Sequence, residues 1–295
     1  MKAKRIQCDE IWSFTYAKQK NIATAKAAPE GAGDTWTWTA IDADTKMIVS
    51  YFVGARDGEC AVWFMDEVRS RLANRVQLTT DGHKAYLEAV EGAFGADIDY
   101  AMLNKIYGVS PEAAKGRYSP AECIGAKKER IEGKPDMAHV STSYVERNNL
   151  TMRMHMRRFT RLTNGFSKKV ENHAYAVALH MMYYNFVRLH SKLRMSPAMA
   201  VGVTDRLWEV SESVPYLHEG LQSFRSMRRI EARRRKMRAL RLRFSQSLAK
   251  RRHRFNQAID RSTIQRLGKA TKPLAASDRL TICVSRLGKI DASAV

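Results

Sequence analysis

Three carboxylates, each inside a short motif, carry the chemical signal of this sequence. Asp9 lies in the segment CDEIW, Asp81 in TTDGH and Glu146 in YVERNN. The first two follow strand-like stretches, and the third opens a strongly basic helix. Carboxylates arranged in this way can hold two divalent ions about 3.5–4 Å apart, which activate an attacking oxygen and neutralise a leaving oxygen at a phosphodiester. The pattern predicts metal-dependent phosphoryl transfer.

Oxygen ligands of this kind favour Mg²⁺, which accepts few protein ligands and keeps several water molecules. We expect two Mg²⁺ ions, with Mn²⁺ as a substitute. In this hypothesis Asp9 bridges both ions, while Asp81 and Glu146 hold one each. The alternative is three solvated turn residues, which spacing alone does not exclude. The place of Asp9 inside an apolar strand favours a metal site, because an unpaired carboxylate there is unfavourable unless a cation satisfies it.

Five arginines follow Glu146 before the next acidic residue. A solvated helix face more often mixes charges of both signs, so this run favours contacts with phosphates beside the metals. The five are Arg147, Arg153, Arg157, Arg158 and Arg161.

The overall charge points the same way. Lys and Arg total 51 against 30 Asp and Glu, a net charge of +21, which predicts a polyanionic partner, most simply nucleic acid. A membrane partner is disfavoured because no apolar run approaches the roughly 18 residues of a spanning helix. The four scattered cysteines have no zinc-ligand spacing and are expected to be reduced thiols of a cytoplasmic protein.

The elements that position the carboxylates follow from hydrophobic periodicity. Strands are expected over residues 5–16, 35–41, 47–53, 75–80 and 99–106, with helices over 58–72, 84–94, 143–161 and 168–189. Residues 107–142 have no clear period and are predicted to form a loop or a small insertion. The element order β-β-β-α-β-α-β-α predicts an α/β fold of the ribonuclease H-like class, with a mixed five-stranded sheet flanked by helices. We expect this domain to span residues 1–215.

The composition changes after about residue 215. Between Leu221 and Ala270 there are 17 Lys and Arg and only two acidic residues, which predicts a basic helical tail over residues 216–295, partly disordered. One interpretation is a DNA-binding arm, with Arg233, Arg234, Arg235 and Lys236 as candidate contacts. The other is a readthrough or frameshifted end of the reading frame.

The three motifs together resemble the DDE transposases of the insertion-sequence-one family. The resemblance covers roughly residues 5 to 210 and includes FSKKVE from Phe166, YNFVRLH from Tyr184 and Ser196-Pro197. It implies that Asp9, Asp81 and Glu146 are the catalytic triad and that Asn149 belongs to a Glu-Arg-x-Asn signature. It also implies DNA contacts for Lys168 and Lys169, and DNA substrates consisting of transposon ends and a target.

One departure from the family concerns the start of the chain. Family members carry an upstream zinc-binding and helix-turn-helix region, whereas eight residues precede Asp9 here. We therefore expect a catalytic half, assisted by a separately encoded N-terminal DNA-recognition protein, or a truncated copy. The resemblance further implies a homo-oligomer on DNA, in the nucleoid of a bacterial or archaeal cell.

Two other functions fit the same residues. A ribonuclease H-like nuclease or resolvase would use the carboxylates without strand transfer. An inactive DNA-binding remnant of a transposase would act through its charge alone. The three hypotheses differ in their products, because only a transposase joins a cleaved end to new DNA.

Overall fold

Six strands make up the sheet in the described residues, 1–108, 122–160 and 163–212, of a computed structural model of the protein. The strands are Arg5–Thr15 (β1), Gly33–Asp42 (β2), Ile48–Gly54 (β3), Gln77–Asp81 (β4), Asp99–Gly108 (β5) and Glu122–Glu132 (β6). The α-helices within these ranges are Gly58–Arg71 (α1), Ala85–Phe94 (α2), Ser143–His155 (α3), Val170–Met182 (α4) and Pro197–Val201 (α5).

The order of the strands across the sheet is β3-β2-β1-β4-β5-β6. β1, β2 and β3 form an antiparallel meander, whereas β4 runs parallel to β1 and β5 runs parallel to β4. β6 pairs antiparallel with β5. A meander continued by parallel strands across α1 and α2 is the ribonuclease H-like arrangement, and the predicted mixed α/β fold is confirmed.

Helices cover both faces of the sheet. On one face α1 and α2 pack over a cluster that includes Trp38, Phe64 and Tyr86. On the other face α3 and α4 contribute Met152 and Val177 to a second cluster. Side chains alternate between the two faces along a strand, so adjacent residues of β1 point towards helices on opposite sides of the sheet.

The prediction of five strands was wrong, and the expected loop over residues 107–142 contains β6. This strand was missed because it has no apolar alternation: its sequence ECIGAKKERIE is dominated by charge. β6 lies at the edge of the sheet, where charged side chains discourage pairing with another chain. Because the side chains of β6 face solvent, the strand lacks the apolar periodicity on which the prediction depended.

Two helices end earlier than predicted. α3 stops at His155 instead of Arg161, and a 3-10 turn, Arg157–Phe159, follows it. The chain leaves the helix so that Phe159, 2% exposed, can join the cluster beneath α4. α4 stops at Met182 and continues as one π-helical turn, Tyr183–Val187.

Within the described ranges, no helix has the length and apolar character needed to cross a membrane. The basic tail beyond residue 212, including Arg233, Arg234, Arg235 and Lys236, lies outside the described residues. The expected domain boundary near residue 215 lies outside them too.

Candidate active site

Asp9 and Asp81 are neighbours because β1 and β4 are adjacent parallel strands. Cys8 is paired with Thr80 in the register of the two strands, so the next residue of each strand is a carboxylate. Carboxylate oxygens of Asp9, Glu10 and Asp81 all lie within 4.8 Å of one another. The sheet therefore brings together two of the three predicted carboxylates and adds a third that was not predicted.

Glu146 reaches the same place from α3. It lies in the first turn of the helix and lines a cavity of about 920 Å³ together with Asp9 and Asp81. Its carboxylate accepts a hydrogen bond from the Thr142 hydroxyl and forms an ion pair with the Lys105 ammonium group. All three predicted carboxylates thus face one cavity, where a lysine neutralises Glu146.

Asp9 is held by a specific partner. The Asn149 Nδ2 atom donates a 2.9 Å hydrogen bond to Asp9 Oδ2, and the backbone N–H of Glu10 donates to Asp9 Oδ1 at 2.8 Å. Burial, followed by the negative charge of Asp81, nevertheless raises the pKa of Asp9 to about 7. The carboxyl group is therefore disposed to take up either a proton or a cation.

Glu10 is the carboxylate that sequence reasoning overlooked. Its side chain is 1% exposed, and its Oε2 atom accepts a 3.2 Å hydrogen bond from Arg56 Nε. Burial and the charge of Asp81 raise the pKa of Glu10 to about 8. The signal was present, because the argument made for an acidic residue inside an apolar strand at Asp9 applies equally to Glu10.

Arg56 was also missed, because it comes from the short loop between β3 and α1. Its guanidinium group lies 3.6 Å from Asp81 Oδ2 in addition to its contact with Glu10. The same group stacks 4.8 Å from the centre of the Trp36 ring. Arg56 thereby supplies positive charge to the carboxylates from the side of the sheet opposite α3.

The turn after β4 fixes Asp81. The His83 backbone N–H donates to Asp81 Oδ1 at 3.1 Å. A Cβ atom at Gly82 would lie 2.1 Å from Asn104 Oδ1, so any larger residue there would have to displace the Asn104 side chain. His83 also lines the cavity, and its ring lies 5.8 Å from that of Trp38.

The structure divides the predicted DNA-contacting residues. Asn149 and Arg153 line the cavity of the carboxylates, whereas Arg147 lines a separate groove on another side of α3. The remaining residues of this set that the structure describes lie on the 3-10 turn after α3 or, exposed, just before α4: Arg157, Arg158, Lys168 and Lys169. Arg161 lies outside the described residues.

The donor set fits a divalent cation. Asp9, Glu10 and Asp81 offer only hard carboxylate oxygens, which lie within 4.8 Å of one another. Burial, followed by the negative charge of Asp81, raises the pKa of Asp9 and of Glu10, and a bound cation would oppose both effects. Oxygen ligands at this spacing are suited to Mg²⁺ or Mn²⁺.

The fold and the site define the class: a ribonuclease H-like α/β domain with a carboxylate cluster at neighbouring strands β1 and β4. Residues 122–187 match the family model described as IS1 transposase. This segment includes Glu146, Arg147 and Asn149, and the match confirms the family resemblance drawn from the sequence for the part of the chain that it covers. The comparison with curated proteins gave no match.

Among solved structures, the chain is similar to the transposase in "Cryo-EM structure of piggyBac transposase synaptic complex with hairpin DNA (SNHP)". The two share 10% sequence identity with a TM-score of 0.31, over 78% of this chain and 55% of that chain. The chain thus spans about half the length of that transposase.

Proposed function

We propose that this protein is a DDE transposase that cleaves DNA at the ends of an insertion sequence and joins the cleaved end to a target. The observation that carries the proposal is that Asp9, Asp81 and Glu146 line one cavity, although they come from β1, β4 and α3. The family match over residues 122–187 supports it, because that segment contains Glu146.

In this proposal Asp9, Asp81 and Glu146 hold two Mg²⁺ ions, or Mn²⁺ in their place, which when bound supply Lewis acidity for phosphodiester hydrolysis and transesterification. Asn149 orients Asp9 through its hydrogen bond. Lys105 and Arg56 offset the negative charge of the carboxylates from two sides. Arg153, in the wall of the same cavity, holds a phosphate group of the DNA.

The DNA would extend beyond the cavity. We assign further phosphate contacts to basic residues between Glu146 and α4, and to the basic tail. These are Arg147, Arg157, Arg158, Arg161, Lys168, Lys169, Arg233, Arg234, Arg235 and Lys236. A homo-oligomer on DNA, a separately encoded DNA-recognition protein and a place in the nucleoid of a bacterial or archaeal cytoplasm belong to the same proposal.

The test is a comparison of carboxylate variants on DNA with and without Mg²⁺. Asp9→Asn, Asp81→Asn and Glu146→Gln should each abolish Mg²⁺-dependent nicking of a supercoiled plasmid and leave DNA binding largely intact, because they remove metal ligands and not phosphate contacts. Asp66→Asn, an exposed position on α1, removes the same charge and should cleave normally. Cleavage that persists in any of the three variants would remove that residue from the triad.

The products separate the competing functions. A pre-cleaved end with a free 3′-hydroxyl group, taken from the DNA that flanks the gene, should be joined to plasmid DNA by a transposase. Mg²⁺-dependent cleavage without joining would indicate a nuclease or resolvase. DNA binding without any cleavage, in Mg²⁺ or Mn²⁺, would indicate an inactive remnant.

A further inference from the structure

A second groove lies along α3, separate from the carboxylate cavity. It has a volume of about 490 Å³ and is bounded by the turn between β2 and β3, the first half of α3 and the segment that follows α4. Its lining includes Lys46, Tyr144, Arg147, Arg188, His190 and Lys192.

The groove has a single sign of charge. Four cationic side chains line it, and no Asp or Glu is among its lining residues in the described part of the chain. None of the four forms an ion pair with a described carboxylate. A cleft lined by one sign of charge concentrates ions of the opposite sign, so the groove is suited to an anionic ligand.

Lys46 is the most enclosed of the four cations. Lys46 is 8% exposed. Its ammonium group lies 3.1 Å from the centre of the Tyr144 ring and donates a hydrogen bond to the carbonyl oxygen of Ala43. The carboxylates near Lys46 have other partners. Asp44 pairs with Arg5, and Asp42 accepts hydrogen bonds within its own turn.

His190 indicates that the cations converge. Burial, then the positive charges of Lys46, Arg188 and Lys192, lower the pKa of His190. Its Nδ1 atom is also buried without a hydrogen-bond partner. Three cations from two separate segments therefore act on one ring, as expected for a built site and not for scattered surface charges.

The groove and the carboxylate cavity share α3 as a wall. Glu146, Asn149 and Arg153 face the cavity, whereas Arg147 and Thr151 line the groove. An α-helix with its side chains is only about 10–12 Å across. A nucleic-acid strand that leaves the carboxylates thus meets the groove after a short distance.

We infer that this groove binds the sugar–phosphate backbone of DNA outside the cleavage site, through Lys46, Arg147, Arg188 and Lys192. The inference rests on the proposed function, which supplies DNA as the polyanion. It assigns DNA contacts to Lys46, Arg188 and Lys192, in two parts of the chain that come together only in the folded protein.

The test measures how DNA affinity depends on salt. The full chain and the variant Arg188→Gln/Lys192→Gln are titrated with a fluorescent duplex in EDTA, so that cleavage does not contribute. Each lost phosphate contact lowers the slope of log affinity against log salt by about 0.9 on duplex DNA. The double variant should therefore lower the slope by about 1.8 and weaken binding.

The matched control is Lys20→Gln/Lys26→Gln. These lysines are exposed, line none of the grooves described here, and lie between β1 and β2, at the opposite end of that hairpin from Lys46. Loss of the same charge there should change the slope far less. The variant Arg188→Lys/Lys192→Arg keeps the charge and should bind like the wild type, which separates lost charge from misfolding.

Equal slopes for the two glutamine double variants would overturn the inference, whether or not the protein cleaves DNA. The inference would also be overturned if Arg188→Gln/Lys192→Gln bound DNA like the wild type but bound poly-L-glutamate more weakly. That result would assign the groove to an acidic protein segment. If the carboxylate variants show that the protein does not cleave DNA, the salt titration still decides whether the groove binds it.

Discussion

Asn149 donates a 2.9 Å hydrogen bond to Asp9 across 140 residues of sequence. This contact joins α3 to the middle of β1 and fixes the orientation of the carboxylate expected to bridge both metal ions. Residues that orient a metal ligand typically matter about 10–100-fold for metal affinity or activity.

Asn149→Ala should therefore lower Mg²⁺-dependent cleavage by about 10–100-fold and raise the Mg²⁺ concentration that gives half-maximal activity. The measurement is a Mg²⁺ titration of plasmid nicking. Asn148→Ala is the matched control, because Asn148 is the neighbouring buried asparagine and lines the basic groove instead. Equal loss in the two variants would mean that α3 is merely destabilised.

Glu10→Gln tests the carboxylate that sequence reasoning overlooked. The change removes one of three acidic groups within 4.8 Å and leaves Arg56 with Asp81 as its remaining carboxylate partner. We expect Mg²⁺ affinity to fall by about 10-fold, with cleavage restored at high Mg²⁺. Isothermal titration of the protein with Mg²⁺ and the nicking assay measure the two effects. Wild-type Mg²⁺ affinity in this variant would show that Glu10 only anchors Arg56.

His173 predicts an acid-sensitive fold. Burial and the charge of Arg158 lower the pKa of His173 from 6.5 to about 4, while its Nε2 atom lies 3.2 Å from Ser13 Oγ. The His173 ring is protonated below about pH 6.5 in the unfolded chain, but only below about pH 4 in the folded chain. Stability due to the neutral ring is therefore full above pH 6.5 and is lost as the pH falls from 6.5 towards 4. Between pH 6.5 and about pH 4, at about 1.4 kcal/mol per pH unit, this loss reaches at most about 3–4 kcal/mol.

Thermal unfolding of wild type and His173→Gln between pH 8 and pH 4.5 measures this effect. Each protein is compared with its own stability at pH 8, so that any other consequence of the substitution cancels. The variant should lose less stability on acidification than the wild type. Parallel curves for the two proteins would show that the acid sensitivity lies elsewhere, for example at His180, whose pKa burial also lowers to about 4.

The methionines of α3 predict a contrast in stability. Met152 is 0% exposed in the cluster beneath α4, whereas Met154 is 70% exposed. Met152→Ala should lower the free energy of unfolding by about 2–5 kcal/mol, because it leaves a cavity. Met154→Ala should change it by less than about 0.5 kcal/mol. Urea denaturation of both variants gives the comparison, and similar values would contradict the described packing of α3.

Much of the fold could be predicted from hydrophobic period alone. The apolar alternation in β1 and β2 and the helical spacing in α1 located these elements within about two residues, because each buries one face against a core. The prediction failed at β6, whose stability comes from backbone pairing with β5 and not from a buried face. It also failed at the end of α3, where the burial of Phe159 overrides local helical preference.

Residue types and local periodicity are sufficient to identify the three carboxylates, the excess of positive charge and the order of the elements. Three-dimensional packing is what brings Glu10 and Arg56 to the site, pairs Lys105 with Glu146 and turns Arg147 towards a different groove from Arg153. Those relations depend on which strands are adjacent and on how α3 is rotated about its axis. Long-range packing sets both, and no local pattern of residues encodes them.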